Sequence, residues 1–350
     1  MTSPSSDALE PSLENLVART FGQGAVAELA SLLPELARDL EAIDWRLQEV
    51  LGSSFARLSE AARYACSTGG KRVRPLLMCV AGRALGAPSS GPLVSLAAAF
   101  QLIHTATLVH DDVIDHAETR RGRPSLPTAY GLPLAIVTVD YLFVRAFELA
   151  AEYPKSIILR CGEACADLVE GEVLQESSKF DLSSGREHYL RVVERKTAAI
   201  IAAALASVAE IQEAPVPAVE ALAAYGHRLG VAFQIRDDLL DVVGDPDILG
   251  KPLFNDYREG NPTLVSLEAY HRLDARHQAE FEHLFQLRHK RTKHLLRLRE
   301  LSESVGAPAA TAREAEAWSE KAVAALDPIA EGPYRRLLER LARGAAERTF

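Results

Sequence analysis

Four long apolar segments constrain the fold of this chain more than any other feature of its sequence. Each is too long for an ordinary strand, and none alternates apolar with polar residues, so each predicts a helix. Several lack a full polar face, which places them inside a helical assembly. Strand-like runs are scarce, and aromatic residues make up only 6% of the chain. The sequence therefore predicts an all-α fold, with these segments at residues 93–109, 134–151, 189–211 and 218–243.

Short stretches rich in Gly and Pro separate the predicted helices. They predict loops at residues 86–92, 122–133, 212–217, 244–262 and 306–309. None of them reads as a linker that divides the chain. We expect one domain over residues 13–350, built from about ten or more helices. Residues 1–12, with their Ser, Pro and Asp, predict a disordered tail.

Composition excludes several classes of function. The net charge of -9 and the pI of about 5.7 disfavour nucleic acid or an anionic membrane as the main partner. The N-terminus lacks the features of a signal peptide, and the longest clearly apolar run, at residues 198–206, is far shorter than a membrane helix. The four cysteines form no CxxC pair and have no zinc spacing, so we expect core thiols. A cytoplasmic protein without a transmembrane segment is expected.

A basic segment at residues 287–300 allows two interpretations. It can be a binding patch for an anion, or the solvated face of a helix whose leucines pack inward. We expect the second arrangement, with Leu287, Leu295 and Leu298 directed into the protein.

One acidic pattern, Asp-Asp-x-x-Asp, occurs twice, each time at the end of an apolar helix. The second copy begins 126 residues after the first. Positions i and i+4 share one face of a helix, so the first and last Asp of each copy point in the same direction. The acidic residues are Asp111, Asp112 and Asp115 in the first copy, and Asp237, Asp238 and Asp241 in the second.

Clustered carboxylates in apolar surroundings require a compensating cation, because they repel each other and are costly to bury. An all-oxygen site with few protein ligands suits Mg²⁺, which keeps several waters and often bridges to phosphates. A single copy of the motif is usually a solvated helix end, and helix capping explains one carboxylate per helix. Two copies in matching positions therefore favour a metal site.

Two basic segments lie beside the acidic motifs in the sequence. Residues 69–75 combine two glycines with three cations, and residues 119–124 follow the first acidic motif by about one helical turn. Arg and Lys side chains are suited to bind phosphate oxygens. Basic loops alone are often plain surface, but together with two acidic motifs they favour a site where metals and cations share a diphosphate.

This series of motifs resembles the trans-isoprenyl diphosphate synthase family. From about residue 51 to the C-terminus, the chain carries GGKRVRP, HTATLVHDDVID, TRRGRP, ERKTA, FQIRDDLLD and GDPDILGKP in that family's order. The resemblance implies a single all-helical bundle of the isoprenoid synthase type with a central cavity. It also implies a homodimer and a Mg²⁺-dependent head-to-tail condensation of isopentenyl diphosphate with an allylic diphosphate.

The resemblance assigns roles to particular residues. Asp111, Asp115, Asp237 and Asp241 are expected to bind Mg²⁺, three ions in all, with Asp112 and Asp238 in support. Arg120, Lys196 and Lys251 are expected to bind the allylic diphosphate. Isopentenyl diphosphate is expected to contact Lys71, Arg74, His104 and Arg121. Thr197 and Gln234 are expected to line the space where the allylic cation forms. Taken alone, His104 would be interpreted as a core histidine and Lys196 as a surface lysine.

Product length is also implied by the resemblance, because the growing chain extends away from the metals between helices. Ala106 and Thr107 lie where short-chain members often carry an aromatic residue that blocks the chain. A methyl group does not block it, so the resemblance implies products of about twenty carbons or more. Tyr141, Phe143 and Phe147 on the next helix are candidates for a deeper floor.

Three positions depart from the family pattern. Val139 stands where Gly is usual, Phe254 where Gly is common, and Asn261 where Lys is common. The last two lie in the loop after the second acidic motif, so they affect the expected substrate preference or rate. Two alternatives stay open: another terpenoid enzyme of this fold, such as a cyclase, and a weakly active subunit of a heteromeric synthase.

Overall fold

The structure, a computed structural model, describes residues 32–67, 72–246 and 253–347. The predicted tail at residues 1–12 and two predicted binding residues, Lys71 and Lys251, lie outside the described residues.

Helices make up most of the described chain. In order they are α1 (Leu33–Val50), α2 (Ala56–Ser67), α3 (Val73–Ala84), α4 (Val94–Ile114), α5 (Leu126–Tyr130), α6 (Leu132–Ala150), α7 (Lys155–Ser178), α8 (Gly185–Val193), α9 (Ala199–Ile211), α10 (Val216–Val243), α11 (Asn255–Glu259), α12 (Leu264–Arg272), α13 (Ala275–Gln286), α14 (Thr292–Ser304), α15 (Ala307–Ala325) and α16 (Pro333–Glu347). A π-helical turn (Glu194–Ala198) joins α8 to α9, and 3₁₀ turns occur at Gly91–Leu93 and Leu182–Ser184. Two short antiparallel strands, β1 (Thr119–Arg120) and β2 (Arg123–Pro124), form a small hairpin.

The all-α prediction is confirmed, and the four apolar segments form α4, α6, the run from α8 to α9, and α10. Three predicted loops contain more helix than expected. The short α5 lies within the loop predicted at 122–133, and α11 lies within the one predicted at 244–262. In the third, at 306–309, α15 already begins at Ala307, and Gly306 precedes it with a φ of 69°.

The core consists of two hydrophobic clusters joined by α10. One cluster gathers α1, α3, α4, α6 and α9 around the first half of α10. The other gathers α12, α13 and α14 around its second half. Because α10 passes from one cluster to the other, its C-terminal carboxylates lie along the half of the helix that packs in the second cluster.

One helix of the described residues, at 91–114, is apolar and long enough to cross a membrane by length and composition. Most of it is buried inside the protein, as expected for the central helix of a folded bundle. The four cysteines are free, and three of them are fully buried, which agrees with core thiols.

The basic segment follows the second interpretation. Leu295 and Leu298 are buried, and Leu287 is partly buried. Two of its cations form ion pairs along the surface, Arg297 with Glu280 and Arg299 with Glu303.

Candidate active site

Both acidic motifs line one cavity of about 670 Å³. Asp111 projects into it from the end of α4, and Asp237 and Asp238 project into it from the end of α10. The two motifs therefore share one cavity. Eight further residues predicted for the site also line this cavity: Arg74, His104, Thr107, Arg120, Arg121, Lys196, Thr197 and Gln234.

The first acidic motif is held in place by cations from three other segments. The carboxylate of Asp112 accepts a hydrogen bond from Arg120 Nε at 2.7 Å. Asp111 Oδ1 lies 3.5 Å from Lys196 Nζ, and Asp115 Oδ1 lies 3.8 Å from the Nζ of Lys179. Burial raises the pKa of Asp112 and of Asp115, although Arg120 and Lys179 oppose the shift. The neighbouring cations therefore do not fully offset the burial of these carboxylates, and the motif is suited to bind a further cation.

The second acidic motif is more deeply buried. Asp238 accepts hydrogen bonds of 2.7 Å from Gln234 Nε2 and from the Tyr189 hydroxyl. Burial and the neighbouring carboxylates raise the pKa of Asp238 to about 7. Asp241 does not reach the cavity lining of the described chain; its Oδ2 accepts the backbone N–H of Asp256 at 3.0 Å. Asp241 therefore orders the loop behind the site.

A π-helical turn places Lys196 and Thr197 between the two motifs. Two glycines on other helices touch this turn: a Cβ on Gly230 would lie 2.6 Å from Ala198 Cα, and one on Gly171 would lie 2.8 Å from the Lys196 backbone nitrogen. The widened turn and this close packing rotate both side chains into the cavity, and such bulges are frequent at functional sites. Thr197 Oγ1 donates to Gln234 Oε1 at 2.9 Å.

Lys196 meets two acceptors on the adjacent helix α7. Its Nζ donates to Gln175 Oε1 at 2.8 Å and lies 2.5 Å from Glu172 Oε2. Burial lowers the pKa of Lys196, but Asp111 and Glu172 outweigh it and raise the value overall. Lys196 therefore remains a cation beside the first acidic motif.

A cationic corner lies around His104, close to the Arg120 that binds the first acidic motif. Burial, with help from Arg74, holds the pKa of His104 well below its ordinary value, so this histidine is neutral at pH 7. Burial and the charge of Arg121 lower the pKa of Arg74 to about 10. Arg74 Nε is buried and has no hydrogen-bond partner among the described residues. Crowded, incompletely paired guanidinium groups are suited to bind an anion such as a diphosphate.

The deep end of the cavity is apolar. Thr107 lines it, whereas Ala106 is fully buried in the core and is not part of the lining that the described residues form. Among the three candidates for a deeper floor, Phe143 contacts the cavity, and the Tyr141 hydroxyl instead donates to the Gly52 carbonyl at 2.6 Å. The remaining apolar walls come from Leu168, Val169, Val173, Ile200, Ile201, Leu229 and Phe233.

Sequence reasoning missed the polar side chains that α7 and α8 contribute. Glu172, Gln175 and Tyr189 line the cavity and bind Lys196 or Asp238. Glu172 and Gln175 are three residues apart on one face of a half-buried helix. This spacing was the available signal for a polar wall.

A family model described as polyprenyl synthetase matches residues 55–301. The chain belongs to this family. The octaprenyl diphosphate synthase of Escherichia coli K12 is 35% identical over 315 residues, which are 89% of this chain and 96% of that protein. The decaprenyl diphosphate synthase from Rhodobacter capsulatus has a TM-score of 0.86 and 34% identity, over 93% of this chain and 99% of that one. A polyprenyl synthase from Caulobacter crescentus CB15, solved with calcium and isoprenyl diphosphate, has a TM-score of 0.85 and 37% identity, over 90% and 98%.

The match to this family model confirms the resemblance predicted from the sequence, and the similar solved structures confirm the isoprenoid synthase fold. The chain is accordingly an all-trans polyprenyl diphosphate synthase, a prenyltransferase. The family depends on Mg²⁺ and uses isopentenyl and allylic diphosphates.

The carboxylates of this polyprenyl synthetase fit Mg²⁺ that is shared with a diphosphate. In the described part of the chain, no group of three or more His, Cys, Asp or Glu side chains is arranged to hold a metal by itself. Magnesium commonly binds through one or two carboxylates and completes its octahedron with water and phosphate oxygens. Asp111 and Asp237, on facing walls, are of that kind.

The structure shows the surroundings of all three departures from the family pattern. Phe254 has a φ of 67°, the left-handed region that favours glycine, and its ring stacks on Tyr257 with the centroids 6.3 Å apart. Val139 is fully buried where α6 packs in the core. Asn261 is also buried, and its Nδ2 donates to Asp256 and Glu259 at 3.2 and 3.0 Å.

Proposed function

We propose that this chain joins isopentenyl diphosphate head to tail onto an allylic diphosphate and releases all-trans products of about twenty carbons or longer. One observation carries the proposal: the two acidic motifs line a single cavity whose lining also includes a cationic corner and apolar walls. A diphosphate at the motifs would leave its isoprenoid tail in the apolar end.

Three Mg²⁺ ions are our proposed cofactor, bound by Asp111 and Asp115 on one wall and by Asp237 on the other. Asp112 and Asp238 support these ligands, and the ions would stabilise the charge that develops on the leaving diphosphate. Asp241, which faces the loop, would act by holding that loop in place. Lys251, outside the described residues, remains a proposed ligand of the allylic diphosphate.

The chain's own side chains divide between the two substrates. Arg120 and Lys196 lie beside the first motif and would hold the allylic diphosphate. Arg74, His104 and Arg121 form the cationic corner and would hold isopentenyl diphosphate, together with Lys71, which lies outside the described residues. The neutral imidazole of His104 can donate a hydrogen bond without adding to the crowding of positive charge.

The reaction would begin when the allylic C–O bond breaks and the electron pair leaves with the diphosphate. Thr197 and Gln234 line the cavity beside the resulting cation, and the apolar walls keep water away from it. The double bond of isopentenyl diphosphate then forms the new C–C bond, and a proton is lost. We assign that proton to the released diphosphate, which leaves as the anion.

Product length is proposed from the lining. No aromatic side chain stands at positions 106 and 107, so the tail can pass Thr107 towards Phe143. Relatives named as octaprenyl, nonaprenyl and decaprenyl diphosphate synthases support a long product.

A homodimer is proposed from an apolar face on α6 and α7, two helices that pack against each other. The face has exposed apolar residues at positions typical of helix pairing, and Val169 and Val173 also form part of the cavity wall. A second copy would cover this wall and complete a dry cavity. The protein is proposed to be cytoplasmic. The residues of the apolar face are Leu132, Ile136, Val137, Val144, Leu159, Ala166, Val169 and Val173.

The activity is tested with the purified chain, Mg²⁺, isopentenyl diphosphate and an allylic primer of ten, fifteen or twenty carbons. We expect elongated products by mass spectrometry, and no product with Asp237→Asn. Elongation by the chain alone would also dismiss the heteromeric alternative, and a cyclic hydrocarbon would indicate a cyclase. Failure to lengthen every primer would refute the proposal.

A further inference from the structure

The end of α7 is fixed against the loop that follows the second acidic motif. The backbone N–H of Phe180 donates to the Gly260 carbonyl at 2.6 Å. A Cβ at Gly260 would lie 2.4 Å from the Phe180 ring, so glycine is required for this contact. Lys179, the residue before Phe180, is thereby held beside residues 259–261.

Lys179 lies among carboxylates from both sides of the site. Its Nζ is 3.8 Å from Asp115 of the first motif and pairs with Glu176 on its own helix. Asp115 and Lys179 are also the charged groups that act most strongly on Glu259, in the loop after the second motif. The Lys179 side chain is largely buried, with 18% exposed. The ammonium group of Lys179 therefore lies between a carboxylate of the first motif and the loop that follows the second motif.

The neighbouring loop provides no cation at the position where the family resemblance leads us to expect one. Asn261 stands there, and both of its amide hydrogens are directed to the carboxylates of Asp256 and Glu259. This residue stabilises the loop but brings no positive charge to a diphosphate. The site would then have one phosphate-binding cation fewer, unless another segment supplies it.

We propose that Lys179 supplies this charge from the end of α7 and is a diphosphate-binding residue of this enzyme. Before substrate binds, its ammonium group is shared between Asp115 and Glu176. A divalent ion at Asp115 would neutralise that carboxylate and repel the ammonium group. The flexible four-carbon stem of lysine then allows it to turn to the phosphate oxygens. The inference rests on the proposed function, because it concerns the same diphosphate.

The test measures binding of inorganic pyrophosphate with Mg²⁺ by isothermal titration calorimetry, which needs no turnover. We expect Lys179→Met to weaken this binding about tenfold or more, as for the loss of one charged hydrogen bond. Adding Asn261→Lys to Lys179→Met should restore most of the affinity, because the charge returns from the loop side. Lys155→Met, at the exposed start of the same helix, is the matched control and should bind as the wild type does.

Kinetics give a second readout. Lys179→Met should raise KM for the allylic diphosphate more than it lowers kcat, and Lys179→Arg, which keeps the charge, should recover part of the affinity that Lys179→Met loses. If Lys179 merely shields carboxylates, Lys179→Met would bind Mg²⁺ more tightly and pyrophosphate no more weakly, and the inference would be wrong. Failure of Asn261→Lys to restore affinity in a variant that melts normally would also overturn it. An inactive wild type that still shows the pyrophosphate pattern would reject the proposed function alone.

Discussion

The carboxylates of Asp238, which is buried, and Glu259, which is half-buried, make the stability of the metal-free protein depend on pH. Burial, with neighbouring carboxylates, raises the pKa of Asp238 and of Glu259 to about 7. In the unfolded chain both groups titrate near 4. Between these values the folded protein binds more protons than the unfolded chain, so these groups make stability fall as pH rises. Their stabilising contribution is complete below about pH 4 and is lost as pH approaches 7.

We therefore expect the melting temperature of the metal-free protein to decrease from pH 5 to pH 8. Mg²⁺ with pyrophosphate should raise the melting temperature more at pH 8 than at pH 5. At pH 8 the carboxylates are ionised, and metal ions can neutralise them in place of protons. Glu259→Gln should flatten the pH dependence, whatever its effect on absolute stability. Scanning calorimetry across this range measures both effects. If the melting temperature of Glu259→Gln changes with pH as steeply as that of the wild type, Glu259 is not one of the groups responsible for the pH dependence.

At the residue scale, the sequence singled out the six motif carboxylates but not the contacts that each one makes in the fold. The i, i+4 rule placed Asp237 and Asp241 on one face of α10. The structure directs Asp237 into the cavity, whereas Asp241 binds the backbone of Asp256 in a loop that folds back over the helix end. That loop follows α10 in the chain and folds back onto its end, so helical periodicity within α10 could not reveal the difference.

Among the elements, the π-helical turn depends on glycines in two other helices. We expect Gly230→Ala to push this turn away, because the new methyl group would lie 2.6 Å from Ala198 Cα. Such overpacking typically costs about 1–3 kcal/mol. The shift should also displace Lys196 and Thr197 and lower kcat. Denaturant unfolding and steady-state kinetics measure these effects, with Glu220→Ala, exposed on the same helix, as the control. Unchanged kcat in Gly230→Ala would show that the turn tolerates displacement.

At position 254, the glycine variant should be more stable than the alanine variant, which is the reverse of the usual order. The φ of 67° at Phe254 strains any L-residue by about 1–2 kcal/mol, whereas glycine adopts it freely. Both Phe254→Gly and Phe254→Ala lose the packing on Tyr257 and destabilise the protein. Phe254→Ala keeps the strain, so we expect it to be less stable than Phe254→Gly by about 1 kcal/mol. Chemical denaturation of the two variants tests this; a more stable alanine variant would mean that the backbone relaxes.

At the element scale, long helices were predictable and irregular ones were not. The segments that form α4 and α10 are long and apolar enough to exclude strands. The short α5 and α11 lie in stretches whose Pro and Gly residues signal loops. The π-helical turn has an ordinary helical sequence, and its widening comes from contacts with Gly171 and Gly230. Only the assembled protein contains that information.

For the whole molecule, the family resemblance predicted one cavity between two walls, and the structure has it. The sequence did not predict that part of this cavity lies open on the surface of a single chain. Val169 and Val173 line the cavity and are 59% and 65% exposed. An allylic cation needs walls that exclude water, so an open wall conflicts with the chemistry unless something covers it. The same helices carry the other exposed apolar residues, which makes a second copy the simplest cover.

This arrangement predicts that the dimer and the activity are lost together. Leu159 is 55% exposed on the apolar face of α7 but does not line the cavity. Leu159→Glu would place an unpaired charge in the interface, at a cost of several kcal/mol. We expect the variant to sediment as a monomer and to lose most of its elongation activity at low protein concentration, while its circular dichroism is unchanged. Leu296→Glu, 45% exposed on α14 away from this face, should remain dimeric and active. A monomeric Leu159→Glu with full activity would show that one chain closes its own cavity, and a dimeric one would place the interface elsewhere.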